Sequence, residues 1–183
     1  MSDKERAWVK KHISETVDAM LEKYTGGTRF FDALDAHWRF SKDGWRVVDY
    51  FAAEADRDLA VDGYISTGRF GMFLHNRYGA LWPALILVTG GLRSGAPMDR
   101  LDYLRDELKN RVFCILDDSH FSGRTRSMIT AEVERLGGSV VQTCVIYDGC
   151  KEDEDDVFSF YRYYDHYDPQ PWSRNPNVKK VKK

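Results

Sequence analysis

Three short apolar runs separated by amphipathic stretches constrain this chain more than any other feature. Ala84-Leu-Ile-Leu-Val88 is continuously apolar and ends in Thr89-Gly90-Gly91, the pattern of a strand buried on both faces and closed by a tight turn. Pro97 then opens a stretch with Met98, Leu101, Leu104 and Leu108 on one helical face. Val112 to Leu116 predicts a second buried strand. Ile129, Val133 and Leu136 mark a second helix that stops at Gly137-Gly138, and Ser139 to Tyr147 predicts a third strand. Strand, helix, strand, helix, strand is the alternation of a parallel α/β sheet, Rossmann-like and flanked by helices.

The flanks read less evenly. Ser2 and Glu5 have capping-box spacing, and Val9, Ile13, Val17 and Leu21 recur every fourth residue up to Gly26-Gly27, which predicts an N-terminal packing helix. From Phe30 to about Asn76 aromatic residues mix with charges and no single period holds, so a helix or two and short strands are expected there. After the acidic run Glu152 to Asp156, a solvated turn, Val157 to Tyr164 has strong strand propensity. The end, Lys179-Lys-Val-Lys-Lys183, reads as a mobile solubilising tail.

With 183 residues, 43% of them apolar and 31% charged, the chain is expected to form one domain over residues 1–183, with its core at about 84–150. A net charge of -2 gives no global drive toward nucleic acid or an anionic membrane. Cys114, Cys144 and Cys150 are too few for a disulfide framework and lack the paired spacing of a zinc site. With no apolar run of membrane-spanning length and no signal-like segment behind Met1, the protein reads as soluble and cytoplasmic.

Chemistry concentrates after the second strand. Asp117 and Asp118 leave an apolar strand at its carboxyl end, where ligands of parallel α/β sheets collect, and two adjacent carboxylates there call for hydroxyls, a cation or loop amides to face them. The loop Phe121-Ser-Gly-Arg-Thr125 opens a helix and offers backbone N–H groups and two hydroxyls at the positive end of its dipole. Carboxylates for sugar hydroxyls beside donors for a phosphate describe a ribose 5-phosphate site.

Four apolar residues, two acids, three variable residues, Ser or Thr, Gly, any residue and Thr is the phosphoribosyl pyrophosphate (PRPP) pattern that Val112 to Thr125 resembles, that of the type I phosphoribosyltransferases. The resemblance covers residues 84 to 147. It implies that family's fold, with a small hood formed by the helical segment 1–40 and by 151–183. It implies Asp117 and Asp118 on the ribose hydroxyls, with Mg²⁺ reached through those hydroxyls or water. Phe121, Ser122, Gly123, Arg124 and Thr125 would lie on the 5-phosphate. Thr89, Gly90, Gly91 and Arg93 would lie on pyrophosphate, with a cis Val88-Thr89 peptide as in many members. It further implies transfer of phosphoribosyl to a nitrogenous base with release of pyrophosphate, and a homodimer.

Three departures bear on activity. Thr89 stands where many members carry Lys or Arg. Phe121 stands where purine-type members often place an Asp base, so no catalytic base is assigned. About twenty residues separate Gly91 from Val112, enough for a helix but not for the usual strands and covering loop. Cover is expected instead from Val61 to Tyr78 or from Phe158 to Tyr167, whose tyrosines 161, 163, 164 and 167 can stack on a base. His120 reads as a solvent-facing loop residue. Two rivals stay open: a non-catalytic PRPP- or nucleotide-binding regulatory protein, and a phosphohydrolase in which Asp117 and Asp118 ligate magnesium directly.

Overall fold

A computed structural model of the chain describes residues 1–24, 28–57, 60–80, 82, 84–88, 100–149 and 156–162. Among these residues five strands form one parallel sheet in the order β2-β1-β3-β4-β5: β1 Gly63–Thr67, β2 Leu85–Val88, β3 Val112–His120, β4 Ser139–Asp148 and β5 Val157–Arg162. Among the described residues six α-helices accompany them: α1 Asp3–Lys23, α2 Thr28–Phe40, α3 Lys42–Arg57, α4 Gly68–Tyr78, α5 Arg105–Leu108 and α6 Arg124–Arg135. The parallel α/β sheet expected from the apolar runs is the observed architecture.

Side chains alternate along β3 because successive residues of a strand point to opposite faces. Cys114 and Leu116 join one core with Tyr64, Cys144 and Ile146, and helices α1 to α4 lay Val9, Ile13, Phe30, Leu34, Trp38, Phe51 and Phe70 on it. Phe113 and Ile115 join the other, with Ile65, Val88, Leu101, Leu108, Ile129 and Val133. The sheet is therefore covered on both faces, as parallel sheets require.

The N-terminal helix forms as its spacing predicts, with the complete Ser2–Glu5 capping box. The blurred region resolves into two helices that meet at Ser41. Phe30, Leu34 and Trp38 make the buried stripe of α2, and Val47, Val48, Phe51, Ala52 and Ala55 that of α3. Ser41 Oγ accepts from the Gly44 N–H at 2.8 Å and so caps α3.

Four expectations change. The sheet begins before residue 84: Val61 to Tyr78 supplies β1 and α4, with β1 between β2 and β3, and forms no hairpin over the site. Within the described residues β2 pairs only with β1, so it is an edge strand, and Ile86 and Leu87 are half-buried. The helix expected from Pro97 is described only from Arg100 onward, as a 3₁₀ turn over Asp102–Leu104 followed by the four residues of α5. Val157 to Arg162 forms the strand that its propensity predicts but supplies no cover, with Tyr161 8% exposed against Tyr147 and its hydroxyl donating to Ser14 Oγ at 3.2 Å. Tyr163, Tyr164 and Tyr167 lie outside the described residues.

Candidate binding crevice at the β1–β3 switch point

Strand order 2-1-3-4-5 places its topological switch between β1 and β3, where open parallel sheets bind ligands beyond the strands' carboxyl ends. Here the switch is visible in the packing. The helix after β1 contributes Phe70 and Leu74 to one core, whereas the helix after β3 contributes Ile129 and Val133 to the other. The two connections leave the sheet on opposite faces, the arrangement at which open parallel sheets form a ligand crevice.

Asp117 and Asp118 lie at this switch point, within β3 and not in a loop. Pairing of β3 with β4 continues through Asp117↔Val145, Ser119↔Tyr147 and His120↔Asp148. Asp117 Oδ1 accepts from the backbone N–H of Asp118 at 2.9 Å, and Ser119 Oγ donates to Asp118 Oδ1 at 3.2 Å. Asp117 is half-buried and Asp118 is 4% exposed. A carboxylate so enclosed is stable only where donors or a cation face it.

The loop shrinks to three residues. Phe121 packs its ring on Phe31 of α2 at 4.6 Å and on Tyr147 of β4 at 5.3 Å, which makes it the anchor of the turn. Gly123 precedes α6 with φ of 65°, a left-handed conformation that glycine adopts without a Cβ penalty. Gly123 gives α6 no side-chain cap, and uncapped N–H groups at a helix start are ones that an anion can satisfy. Ser122 and Arg124 are exposed and Thr125 is half-buried at this start.

A second turn faces this one, and the sequence reading missed it. Register Ser66↔Leu116 sets the next residues, Thr67 and Asp117, side by side where the strands part. Gly68 follows with φ of 57° and opens α4, again without a side-chain cap. Arg69, in the first turn, pairs with Asp32, and its Nε lies 3.2 Å from Asp35 Oδ2. Its guanidinium is held above the ordinary range chiefly by the hydrogen bond with Asp32, with the charges of Asp35, Asp32 and Asp118 adding and burial opposing. Asp35 also takes a bidentate fork from Arg39, at 3.0 and 2.8 Å. The signal that could have found the turn is a short apolar strand, Tyr64-Ile-Ser-Thr67, ending in Gly68 with Phe70 and Leu74 at helical spacing beyond it.

Thr89, Gly90, Gly91 and Arg93, and the Val88-Thr89 peptide, lie outside the described residues; Val88 itself ends β2 opposite Thr67. His120 is not solvent-facing. It is 5% exposed, and its Nδ1 lies 3.1 Å from Asp148 Oδ1, while Asp148 Oδ2 lies 3.3 Å from Nε of Arg162. Register aligns these three residues across β3, β4 and β5, a relation that spacing in the sequence does not encode.

Adjacent carboxylates are hard oxygen donors of the kind magnesium takes one or two at a time, completing its shell with water and phosphate. Among the described residues no group of three or more His, Cys, Asp or Glu converges on one point, so a cage built wholly from protein ligands is absent there. No helix of the described residues is long and apolar enough to cross a membrane.

No family model and no curated protein matches the chain. Solved structures similar to it include a Neisseria gonorrhoeae protein with bound ppGpp, at 16% identity and a TM-score of 0.47, covering 67% of this chain and 81% of that one. A purine phosphoribosyltransferase from Pyrococcus horikoshii is similar at 18% identity and a TM-score of 0.46, covering 64% and 84%. The adenine phosphoribosyltransferase of Thermoanaerobacter pseudethanolicus is similar at 19% and 0.47, covering 64% and 81%. Identities this low leave the crevice's own geometry as the basis for a function.

Proposed function

We propose that the chain binds PRPP with Mg²⁺ in the crevice between β1 and β3, and transfers its phosphoribosyl group to a nitrogenous base. The observation that carries this reading is the acid pair Asp117–Asp118 at the switch point, followed within a few residues by the Gly123-led start of α6. Asp117 and Asp118 accept from the ribose 2- and 3-hydroxyls and, through them or through water, hold Mg²⁺, which supplies charge neutralisation at the pyrophosphate. Backbone N–H groups after Gly123 and the hydroxyls of Ser122 and Thr125 receive the 5-phosphate. Pyrophosphate falls to the Thr67-Gly68-Arg69 turn, together with Thr89, Gly90, Gly91 and Arg93. In the transfer the C1–oxygen bond to pyrophosphate breaks and a C1–nitrogen bond to the base forms with inversion. The protein contributes position and electrostatics more than a nucleophile.

A second reading, a PRPP- or nucleotide-binding regulator without transfer, is favoured by two observations. Arg69 already spends its charge on Asp32 and Asp35, and Phe121 at the potential base position is a packing group. Calorimetry with PRPP and Mg²⁺ tests what both readings share, with Asp117→Asn and Asp118→Asn as controls. Saturable binding lost in the controls is expected, and no binding by the unsubstituted chain sinks both. Labelled PRPP with a panel of bases then separates them, since base-dependent release of pyrophosphate belongs to the enzyme alone.

A further inference from the structure

Away from the crevice, the helices covering one face of the sheet bring two imidazoles together. His12 of α1 and His37 of α2 place their Nε2 atoms 3.1 Å apart. Their ring centroids are 5.3 Å apart with 29° between the planes. That separation is close to the nitrogen gap plus the two ring radii, so the imidazoles meet tip to tip and their Nε2 positions converge on one small volume. Each nitrogen also has a hydroxyl beside it: Thr16 Oγ1 is 3.5 Å from Nε2 of His12, and Ser41 Oγ is 3.3 Å from Nε2 of His37. Thr16 and Ser41 each follow their histidine by one helical turn, so the four side chains form two matched stripes facing across the helix pair.

We propose that His12 and His37 form a two-imidazole clip for a divalent transition-metal cation of the zinc or nickel class, joining α1 to α2. Zinc–nitrogen bonds of about 2.0–2.1 Å put two imidazole nitrogens on a tetrahedral ion roughly 3.3 Å apart, so the observed spacing needs little adjustment. Imidazole nitrogen is a preferred donor for this class of metal and a poor one for magnesium, which separates the clip from the carboxylates of the crevice. The rings are held in advance. Trp8 stacks on His12 at 5.1 Å and 5°, and His37 meets Trp38 edge-on at 5.0 Å and 81°. Ligation requires neutral imidazoles. The hydroxyls of Thr16 and Ser41 are placed to hold the waters that complete the coordination shell. With only two protein nitrogens the clip takes metal reversibly. Because α2 carries Phe31 and Asp32 to the crevice, metal at the clip braces the wall of that site.

The test is a titration of the full chain with Zn²⁺ and separately with Ni²⁺ at slightly alkaline pH, by calorimetry and thermal unfolding, with Mg²⁺ as the negative control. One saturable site and a chelator-reversible rise in Tm are expected for Zn²⁺ and Ni²⁺, and neither for Mg²⁺. His12→Gln and His37→Gln should each weaken binding about tenfold or more, because a single imidazole remains. A readout that needs no variant is carbethoxylation of the unsubstituted chain, mapped by mass spectrometry, in which Zn²⁺ should protect His12 and His37 selectively. Absence of saturable Zn²⁺ and Ni²⁺ binding overturns the proposal. So does binding that leaves both histidines equally reactive, or affinity retained in either folded variant.

Discussion

Asp148 accepts two cationic or potentially cationic neighbours at once, with His120 Nδ1 3.1 Å from one carboxylate oxygen and Arg162 Nε 3.3 Å from the other. At 1% exposure the carboxylate has no water to replace either partner. Asp148→Asn keeps the shape and removes the negative charge that faces Arg162 and His120. The substitution should cost about 2–3 kcal/mol in urea unfolding, the cost of breaking one side of a buried pair. A loss under about 0.5 kcal/mol, the level of an ordinary surface change, would show that the row across β3, β4 and β5 is not a cohesive element.

Gly68 separates backbone conformation from packing. A Cβ at this position meets nothing within 4 Å, yet φ is +57°. Gly68→Ala should therefore cost about 1–2 kcal/mol from conformation alone, and Gly68→Asn less, since Asn visits the left-handed region more readily. Thermal unfolding of the two variants gives the order. If Ala and Asn prove equal to Gly, the turn conformation is not what selects glycine here.

Arg69 and Asp32 are both about half exposed, 52% and 44%, and such pairs contribute about 0–1 kcal/mol. Asp32→Asn should leave Tm nearly unchanged while removing one of the two carboxylates that compete with an anion for Arg69, the contact with Asp35 remaining. Calorimetry with Mg²⁺-pyrophosphate should then show tighter binding in the variant than in the unsubstituted chain. Equal affinity would remove Arg69 from the pyrophosphate role.

His37 makes the fold acid-sensitive. Burial, and after it the proximity of His12, lower its pKa from 6.5 to about 4. The folded state thus resists a proton that the unfolded chain accepts. Stability is complete above the unfolded value and falls as pH drops from about 6.5 toward 4, because the unfolded state then binds more protons. The ring is only half-buried, so the loss should be about 1 kcal/mol, a few degrees of Tm. His37→Gln should flatten this part of the curve, measured in metal-free buffer.

Cys114 and Cys144 have their Sγ atoms 3.6 Å apart inside the sheet. The Cys114 thiol is pushed well above the ordinary range, first by its hydrogen bond with Cys144 and then by burial. Neither should react with a thiol reagent in the native chain, and both should react in denaturant, with the sites identified by mass spectrometry. Native labelling at either position would contradict the packing of the β3–β4 centre.

Local chemistry was legible in the sequence wherever it was decided locally. The Ser2–Glu5 box starts α1, and Val112 to Leu116 begins β3, because capping and apolar patterning act within a few residues. The end of β3 was not legible. Asp117 to His120 is too polar to suggest a strand, yet the ladder to β4 carries it on to His120. Helices α2 and α3 were hidden because the single-residue joint at Ser41 shifts the phase between two good helical stripes. Of the candidate site, the acid pair and the Gly123 turn were read from the motif alone. The facing turn at Gly68 depends on β1 lying next to β3, some fifty positions apart in the chain, which no local pattern reveals.

The strand order has a consequence for how the chain emerges from a ribosome. Because β1 lies between β2 and β3, the N-terminal helices are made well before the platform that receives them. Phe30, Leu34, Trp38 and Phe51 have only β1 and β2 beneath them until β3 and β4 have left the exit tunnel. Translation pauses before β4 has cleared the exit tunnel should leave a nascent chain that aggregates or recruits chaperones, whereas pauses after it has emerged should not.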